Sequence, residues 1–357
     1  RAWTTRRMTE SDGSRRTLLI WMHSDRYPAW RIPDELVGLL AADGGDEWAV
    51  QSIRVSADAG GDGPDRAPAA VLAAIGGAEV YFGYGITREL LESAAELRWF
   101  HSGAAGVGGS LRAGMRDRGV TMTNSAGIYA DPLAEWAIGA MLHFARGFDI
   151  ATRAMREGEW PYEALAGESS PLREIAGSSV AVVGYGGIGR AIGMRAKALG
   201  MRVIAVRARP GREILPEVDL ELGPDGLREA LASAHYVVLA LPETDRTRLM
   251  LGSDELATMR PDAVLMNLSR GGIVDEAALS EALGNGALRG AALDVFQTEP
   301  LPPDSPLREH GNVLFTPHAG SISARYWDRQ GALMRRNFAN WRAGEPLVNQ
   351  VDKERGY

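Results

Sequence analysis

The sequence predicts an α/β protein of two Rossmann-like domains, each built on a parallel sheet. Three observations carry that expectation. Short apolar runs alternate with stretches of helical spacing, first between residues 17 and about 110 and again from 179 to about 318. Strands that alternate with helices argue for parallel sheets, because a crossover returns each strand to the same starting edge. The stretch VAVVGYGGIGRAIG reads as strand, glycine turn and helix in succession. At 357 residues the chain also exceeds what one ordinary core organises, which favours two domains.

Bulk properties remove several function classes. Hydrophobic residues are 45% and charged residues 24%, the balance of a soluble globular protein. A net charge of −7 leaves no basic surplus to displace counterions, so nucleic acid is not an expected partner. Of the 39 basic residues all but Lys197 and Lys353 are Arg, so a lone arginine carries little weight. The lack of cysteine rules out disulfides, thiolate nucleophiles and cysteine-bound zinc, and no metal site is expected. No run approaches the roughly 18 apolar residues of a membrane span, and no apolar signal segment follows the charged start. A cytoplasmic protein is expected, with Met8 as candidate native start and residues 1–7 an extension.

Taken in order, TLLIW (17–21) and AEVYFGY (78–84) are strand candidates, and DGGDEW and DAGGDGPDRAP between them are loops by composition. ITRELLESAAEL has helical spacing; LRWFHSG is a further strand leading into the turn GAAGVGG. In ADPLAEWAIGAMLHFARGF, Asp131 suits an N-cap with Pro132 at the first helical position. That helix is apolar nearly all round and should be buried on both sides, between domains or in a subunit interface. EGEWPYEALAGESSPLREIAGS reads as a loop before the second α/β half, and NVLFTP near its end as a buried strand. The final helix, SARYWDRQGALMRRNFANWRAG, ends at Gly344 and should return to the first domain.

The glycine motif carries chemistry. Gly184, Gly186 and Gly189 have the spacing G-x-G-x-x-G between an apolar strand and an amphipathic helix. The first makes the tight turn, the second lets a pyrophosphate approach the backbone, and the third allows close helix–strand packing. The helix N-terminus then offers free N–H groups to the phosphates. The next strand, MRVIAV, should end in an acid that binds a ribose 2′-hydroxyl, but Arg207 stands there, within VRARPGR. A guanidinium binds phosphate with paired hydrogen bonds, so Arg207, with Arg209 and Arg212, favours NADP(H) over NAD(H).

Three more polar positions follow apolar strands in the same half: Arg270 in MNLSRGG, Asp294 and Glu299 in ALDVFQTEPLP, and His318 in LFTPHAG. They should meet at the carboxyl edge of a parallel sheet, where ligands of such sheets bind. Singly, each has a structural reading: a salt bridge, a solvated loop acid, a loop histidine. Together they point to a site.

Those motifs, in this order and spacing, resemble the D-isomer-specific 2-hydroxyacid dehydrogenase family over nearly the whole chain, and the tail GEPLVNQVDKERGY resembles that family's terminus. The resemblance implies that Arg270 binds the substrate carboxylate and polarises the keto oxygen. His318 would donate a proton to that oxygen as hydride arrives from the nicotinamide, with Glu299 as its partner. A carboxylate beside an imidazole favours the charged form, which suits a proton donor. Asp294 would hold the nicotinamide carboxamide. Further cofactor contacts are implied at Gly187, Ile188, Leu241, Pro242, Thr247, Leu268, Ser269 and Gly320.

The resemblance also implies a flavodoxin-like substrate domain, residues 1–128 with 321–357 returning to it, and a dinucleotide-binding domain, 129–320, inserted into it. Closure of the two about a cleft would exclude water. In the substrate domain, N–H groups of Ala105 and Gly106 would meet the substrate carboxylate, unless the turn is a plain loop. Tyr84, with Tyr81 and Phe82, either shapes the pocket or packs in the core. A homodimer is expected, with the long helix from Asp131 in its surface. Arg207 departs from the family's acid, and glyoxylate and hydroxypyruvate reductases are similar in that respect. A small 2-keto acid is therefore the expected substrate; formate and phosphite dehydrogenases share the fold, but no residue points to them. The alternative from another class is a dinucleotide-sensing interaction protein with little turnover. His23, His101, His143, His235 and His310 read as structural, His143 as a core residue, and His235 occupies a place where an acid is expected.

Overall fold

The computed structural model describes residues 15–57, 59–60, 63–64 and 66–356, so the charged start and Met8 lie outside the described residues. The chain forms two compact units. One runs to Ile128 and resumes at Ala324; the other is Tyr129–Ser323. Among the described residues no helix is long and apolar enough to cross a membrane.

The first unit contains β1 (Arg16–Trp21), α1 (Asp34–Gly44), β2 (Trp48–Ser52), β3 (Ala59–Gly60), β4 (Gly63–Pro64), α2 (Ala69–Ile75), β5 (Val80–Gly83), α3 (Arg88–Ser93), β6 (Trp99–Ser102), α4 (Gly108–Arg112) and β7 (Thr121–Thr123). Its five-stranded sheet has the order β2-β1-β5-β6-β7, all pairs parallel. With the small antiparallel β3–β4 ribbon set aside, this is the flavodoxin-like order. Successive side chains face opposite sides of a strand. Leu19, Trp21, Tyr81 and Phe100 therefore share one core, while Leu18, Ile20, Phe82 and Trp99 share the other. The C-terminal helix, Tyr326–Ala343, closes the second core with Met334 and Phe338 and ends where Gly344 turns left-handed at φ 71°. The tail then returns to β7 through Val351 N–H to the Met122 carbonyl, 2.8 Å. The helix expected over 86–97 is shorter: Thr87 caps it through the Leu90 N–H, and Ala94 already leaves the helical region.

The second unit contains α5 (Ala130–Ala145), α6 (Phe148–Arg156), α7 (Tyr162–Ala166), β8 (Ser179–Val183), α8 (Gly187–Ala198), β9 (Arg202–Val206), β10 (Leu220–Leu222), α9 (Leu227–Ser233), β11 (Tyr236–Leu239), α10 (Ser253–Thr258), β12 (Val264–Asn267), α11 (Glu276–Gly284), β13 (Gly290–Leu293) and β14 (Val313–Phe315). The seven strands run β10-β9-β8-β11-β12-β13-β14, all parallel. The order reverses between β8 and β11, and the carboxyl ends of those strands define the crevice where doubly wound sheets take ligands.

Four local expectations need correction. Tyr129, not Asp131, is the N-cap of α5; Asp131 lies inside the first turn, where its carboxylate takes a 2.8 Å hydrogen bond from Arg195 on α8. The same helix is not buried all round. Leu133, Ala137, Met141 and Phe144 face inward, whereas Asp131, Glu135 and Gly139 are exposed and His143 is only half-buried. Finally, β14 is half-buried along its length, because it is the edge strand and has a neighbour on one side only. The segment read as a loop before β8 also contains α7.

Candidate active site

The glycine turn sits at the carboxyl end of β8. Gly184 has φ 94°, and a Cβ there would lie 2.5 Å from the Ala240 carbonyl oxygen; at Gly189 it would lie 2.1 Å from the Gly184 oxygen. Both glycines are thus required by the protein's own packing. Gly186 differs: a Cβ there meets nothing within 4 Å. Open space before the N-terminus of α8, beside exposed Gly187 and half-buried Ile188, is what a pyrophosphate requires. The cradle fits a dinucleotide.

Arg207 follows β9 as expected but is not alone. Its Nη1 and Nη2 each donate to Glu213 Oε1 at 3.3 Å, and Nη1 is 3.5 Å from Glu221. Arg190, directly after the glycine motif, reaches Glu213 at 3.5 Å and Glu217 at 3.3 Å. Arg209 and Arg212 are exposed. Glu213, on the next loop, thus pairs with Arg207, a pairing between non-periodic positions that sequence reading missed.

The remaining polar residues line the same carboxyl edge. After β12, buried Asn267 holds the turn: its Oδ1 accepts from Ser269 N–H and Oγ at 3.1 and 3.0 Å, and its Nδ2 donates to the Arg270 carbonyl at 2.9 Å. A Cβ on Gly271 would lie 1.9 Å from the Phe296 carbonyl carbon. The first glycine of NLSRGG thus lets the Arg270 turn press against the loop that carries Glu299. Leu268 is buried and Ser269 half-buried.

After β13, Asp294 is 1% exposed. Its Oδ1 accepts from Thr316 Oγ1 (2.6 Å), Ala319 N–H (2.8 Å) and Gly320 N–H (3.0 Å), and its backbone carbonyl takes the His318 N–H at 2.8 Å. Asp294 thereby folds the TPHAG turn and fixes His318 in a left-handed conformation, φ 53°. Trp136 on α5 steadies the same turn through Thr316.

His318 Nδ1 and Glu299 Oε2 are 2.8 Å apart. Glu299 Oε1 takes the Phe296 N–H at 3.0 Å, and the Gln297 N–H next to it is held by Glu276. Burial pushes the Glu299 carboxyl up, but the His318 and Phe296 hydrogen bonds and the charges of His318 and Arg270 outweigh it. The group titrates below the ordinary glutamate value. Chemically, this edge offers an imidazole oriented by a carboxylate, with a guanidinium close enough to act on that carboxylate.

The other expected positions are mixed. Leu241 and Pro242 follow β11 at the crevice, while Thr247 spends its hydroxyl on the Pro242 carbonyl at 2.7 Å, shaping that loop. In the first unit, Tyr84 and the Ala105–Gly106 turn follow β5 and β6, also at a carboxyl edge. The Tyr84 hydroxyl donates to the Trp30 carbonyl at 2.9 Å, and Asn124 holds the Ala105 carbonyl at 2.7 Å. Tyr81 and Phe82 are fully buried core residues. His235 takes the Ser179 N–H at 3.0 Å, joining β11 to β8.

Against known proteins, residues 138–320 match the family model described as the NAD binding domain of D-isomer specific 2-hydroxyacid dehydrogenase. A glyoxylate reductase of Korarchaeum cryptofilum is 34% identical over 271 residues, covering 75% of this chain and 80% of that protein. A D-3-phosphoglycerate dehydrogenase of Methanocaldococcus jannaschii is 33% identical over 267 residues; there the match covers 75% of this chain but only 50% of the relative. Among solved structures, a D-isomer specific 2-hydroxyacid dehydrogenase from Xanthobacter autotrophicus Py2, in complex with NADPH and MES, superimposes with a TM-score of 0.77. It is 28% identical, over 96% of this chain and 100% of that one.

Proposed function

Because the chain belongs to the D-isomer-specific 2-hydroxyacid dehydrogenase family, whose reaction is an NAD(P)-dependent hydride transfer, we propose that it reduces a small 2-keto acid of the glyoxylate or hydroxypyruvate type to the D-2-hydroxy acid, preferring NADP(H). The observation that carries this reading is the His318–Glu299 pair, 2.8 Å apart at the carboxyl edge of the second unit's sheet. The hydride would come from a reduced nicotinamide held over the glycine turn. His318, bonded to Glu299 through Nδ1, would deliver a proton from Nε2 to the keto oxygen. Arg270 would bind the substrate carboxylate and draw charge onto that oxygen. Asp294 would keep the His318 turn in place and offer its second oxygen to the nicotinamide carboxamide. Tyr84, Ala105 and Gly106 would form the substrate side.

Arg207 supports the cofactor preference, as does the NADPH in the Xanthobacter relative. A homodimer is supported by apolar side chains that stay exposed beyond α5. Phe148, Met155, Trp160 and Tyr162 lie close in sequence, with Trp160 78% and Tyr162 69% exposed, and apolar surface of this kind suits an interface where it is contiguous. Loss of nicotinamide absorbance with hydroxypyruvate, NADPH and an NADH control tests the enzyme reading. Fast turnover with NADPH supports it. Better turnover with NADH removes the NADP(H) preference, and no consumption of either removes the substrate class.

A further inference from the structure

We infer that Glu213 is a tethered anion standing where a 2′-phosphate would bind, and that Arg190 and Arg207 are the two arms of that clamp. Glu213 would thereby set how sharply the chain separates NADP(H) from NAD(H). The inference rests on the dinucleotide reading proposed above. Its ground is that one carboxylate bridges two guanidinium groups from different elements. Oε1 accepts from both terminal nitrogens of Arg207 at 3.3 Å, and Oε2 is 3.5 Å from Nη1 of Arg190. Arg190 lies on α8 one residue past the glycine motif, and Arg207 one residue past β9. Both flank the place where the adenosine ribose of a dinucleotide on this motif comes to lie.

The three acids around the clamp are not equivalent. Glu217, with a side chain only 7% exposed, holds Arg190 Nε at 3.3 Å and accepts from the Tyr185 hydroxyl at 3.4 Å. Glu221 is 3.5 Å from Arg207 and takes the Gly211 N–H at 3.1 Å. These two anchor the arginines from within the fold. Glu213 is 49% exposed on the loop between β9 and β10, outside any helix or strand. Glu213 is half exposed although Arg207 is only 15% exposed, so its two ion pairs together are worth about 1 kcal/mol, or about fivefold in affinity, a cost that a stronger anion can meet. A phosphate monoester brings nearly two charges and three acceptor oxygens, so it satisfies both guanidinium groups better than one carboxylate does. A ribose hydroxyl has no charge with which to displace Glu213. The tethered acid therefore weakens NADP(H) binding and leaves NAD(H) binding nearly untouched.

Calorimetric titration of the full chain at low salt, with adenosine 2′,5′-bisphosphate and 5′-AMP as probes, separates the terms. Glu213→Gln should tighten the bisphosphate about 5- to 10-fold and leave 5′-AMP within about twofold. Arg190→Ala should weaken the bisphosphate about tenfold with little change for 5′-AMP. An unchanged or weaker bisphosphate affinity in Glu213→Gln overturns the tethered-anion role, and equal losses for both probes in Arg190→Ala overturn the second arm. A wild-type preference for 5′-AMP over the bisphosphate would instead sink the NADP(H) reading, whatever Glu213→Gln does.

Discussion

His318 Nδ1 lies 2.8 Å from Glu299 Oε2, with the two side chains 30% and 34% exposed. That contact commits one ring nitrogen to the carboxylate and leaves Nε2 as the one that can serve a substrate. Glu299→Gln keeps a partner of the same shape and removes its charge. Its kcat for keto-acid reduction should fall about 10- to 100-fold, against about 10²- to 10⁴-fold for His318→Gln, which would lose the proposed acid itself. NADPH affinity should stay within about twofold in both, because neither change touches the glycine turn. Steady-state kinetics beside fluorescence titration of NADPH checks this. An equal loss of affinity and kcat would place the pair in cofactor binding instead.

The pH dependence of that pair has a definite sign. Burial raises the Glu299 carboxyl, but His318, Phe296 and Arg270 together bring it below the ordinary value of 4.5. A depressed carboxyl keeps its charge at and above the ordinary value and loses it as pH falls through the lower one. The acid limb that Glu299 contributes to kcat/KM should therefore lie below pH 4.5. If the wild type shows a limb well above that value which disappears in Glu299→Gln, the assignment fails.

Two of the motif glycines, Gly189 and Gly186, should separate by what demands them. Gly189→Ala places a Cβ 2.1 Å from the Gly184 oxygen, so folding should suffer, with about 1–3 kcal/mol of overpacking cost. Gly186→Ala meets nothing within 4 Å. Its melting temperature should match the wild type while NADPH affinity falls about tenfold, since only a bound pyrophosphate needs that space. Thermal melts with and without NADPH read both effects, and a Gly186→Ala chain that binds NADPH normally would refute the cradle.

What was legible in the sequence follows from periodicity. Apolar runs that end in Gly184, Arg207, Arg270, Asp294 and His318 placed those residues at one sheet edge, and β8–β14 put them there. Periodicity says nothing of partners that meet through loops. Glu213 on Arg207, Glu276 on Gln297 and Thr316 on Asp294 are of that kind. The composition of the Asp131 helix likewise overstated its burial. Alanines count as apolar on every face, and the exposed face is given away only by Asp131, Glu135 and Gly139. Exposed apolar side chains lie beyond it at Phe148, Met155, Trp160 and Tyr162, and of these Trp160 and Tyr162 fall in the stretch whose composition made it read as loop.

His101, read as structural, has a consequence for acid stability. It is fully buried on β6; its Nδ1 lies 2.8 Å from Thr123 Oγ1, and Gln330 Nε2 donates to its Nε2 at 3.1 Å. Burial pushes the imidazole down from 6.5 to about 3. The unfolded chain takes up a proton below 6.5, whereas the folded one stays neutral until about 3. The stability tied to neutral His101 is thus intact above 6.5 and is lost as pH falls toward 3, by about 1.4 kcal/mol per pH unit. His101→Gln removes the titration. It should be less stable than the wild type at pH 8, through lost hydrogen bonds and packing, yet its urea midpoint should decline less steeply between pH 6 and 4. Parallel declines in the two proteins would mean that the folded state protonates His101, and that its buried network opens to admit the charge.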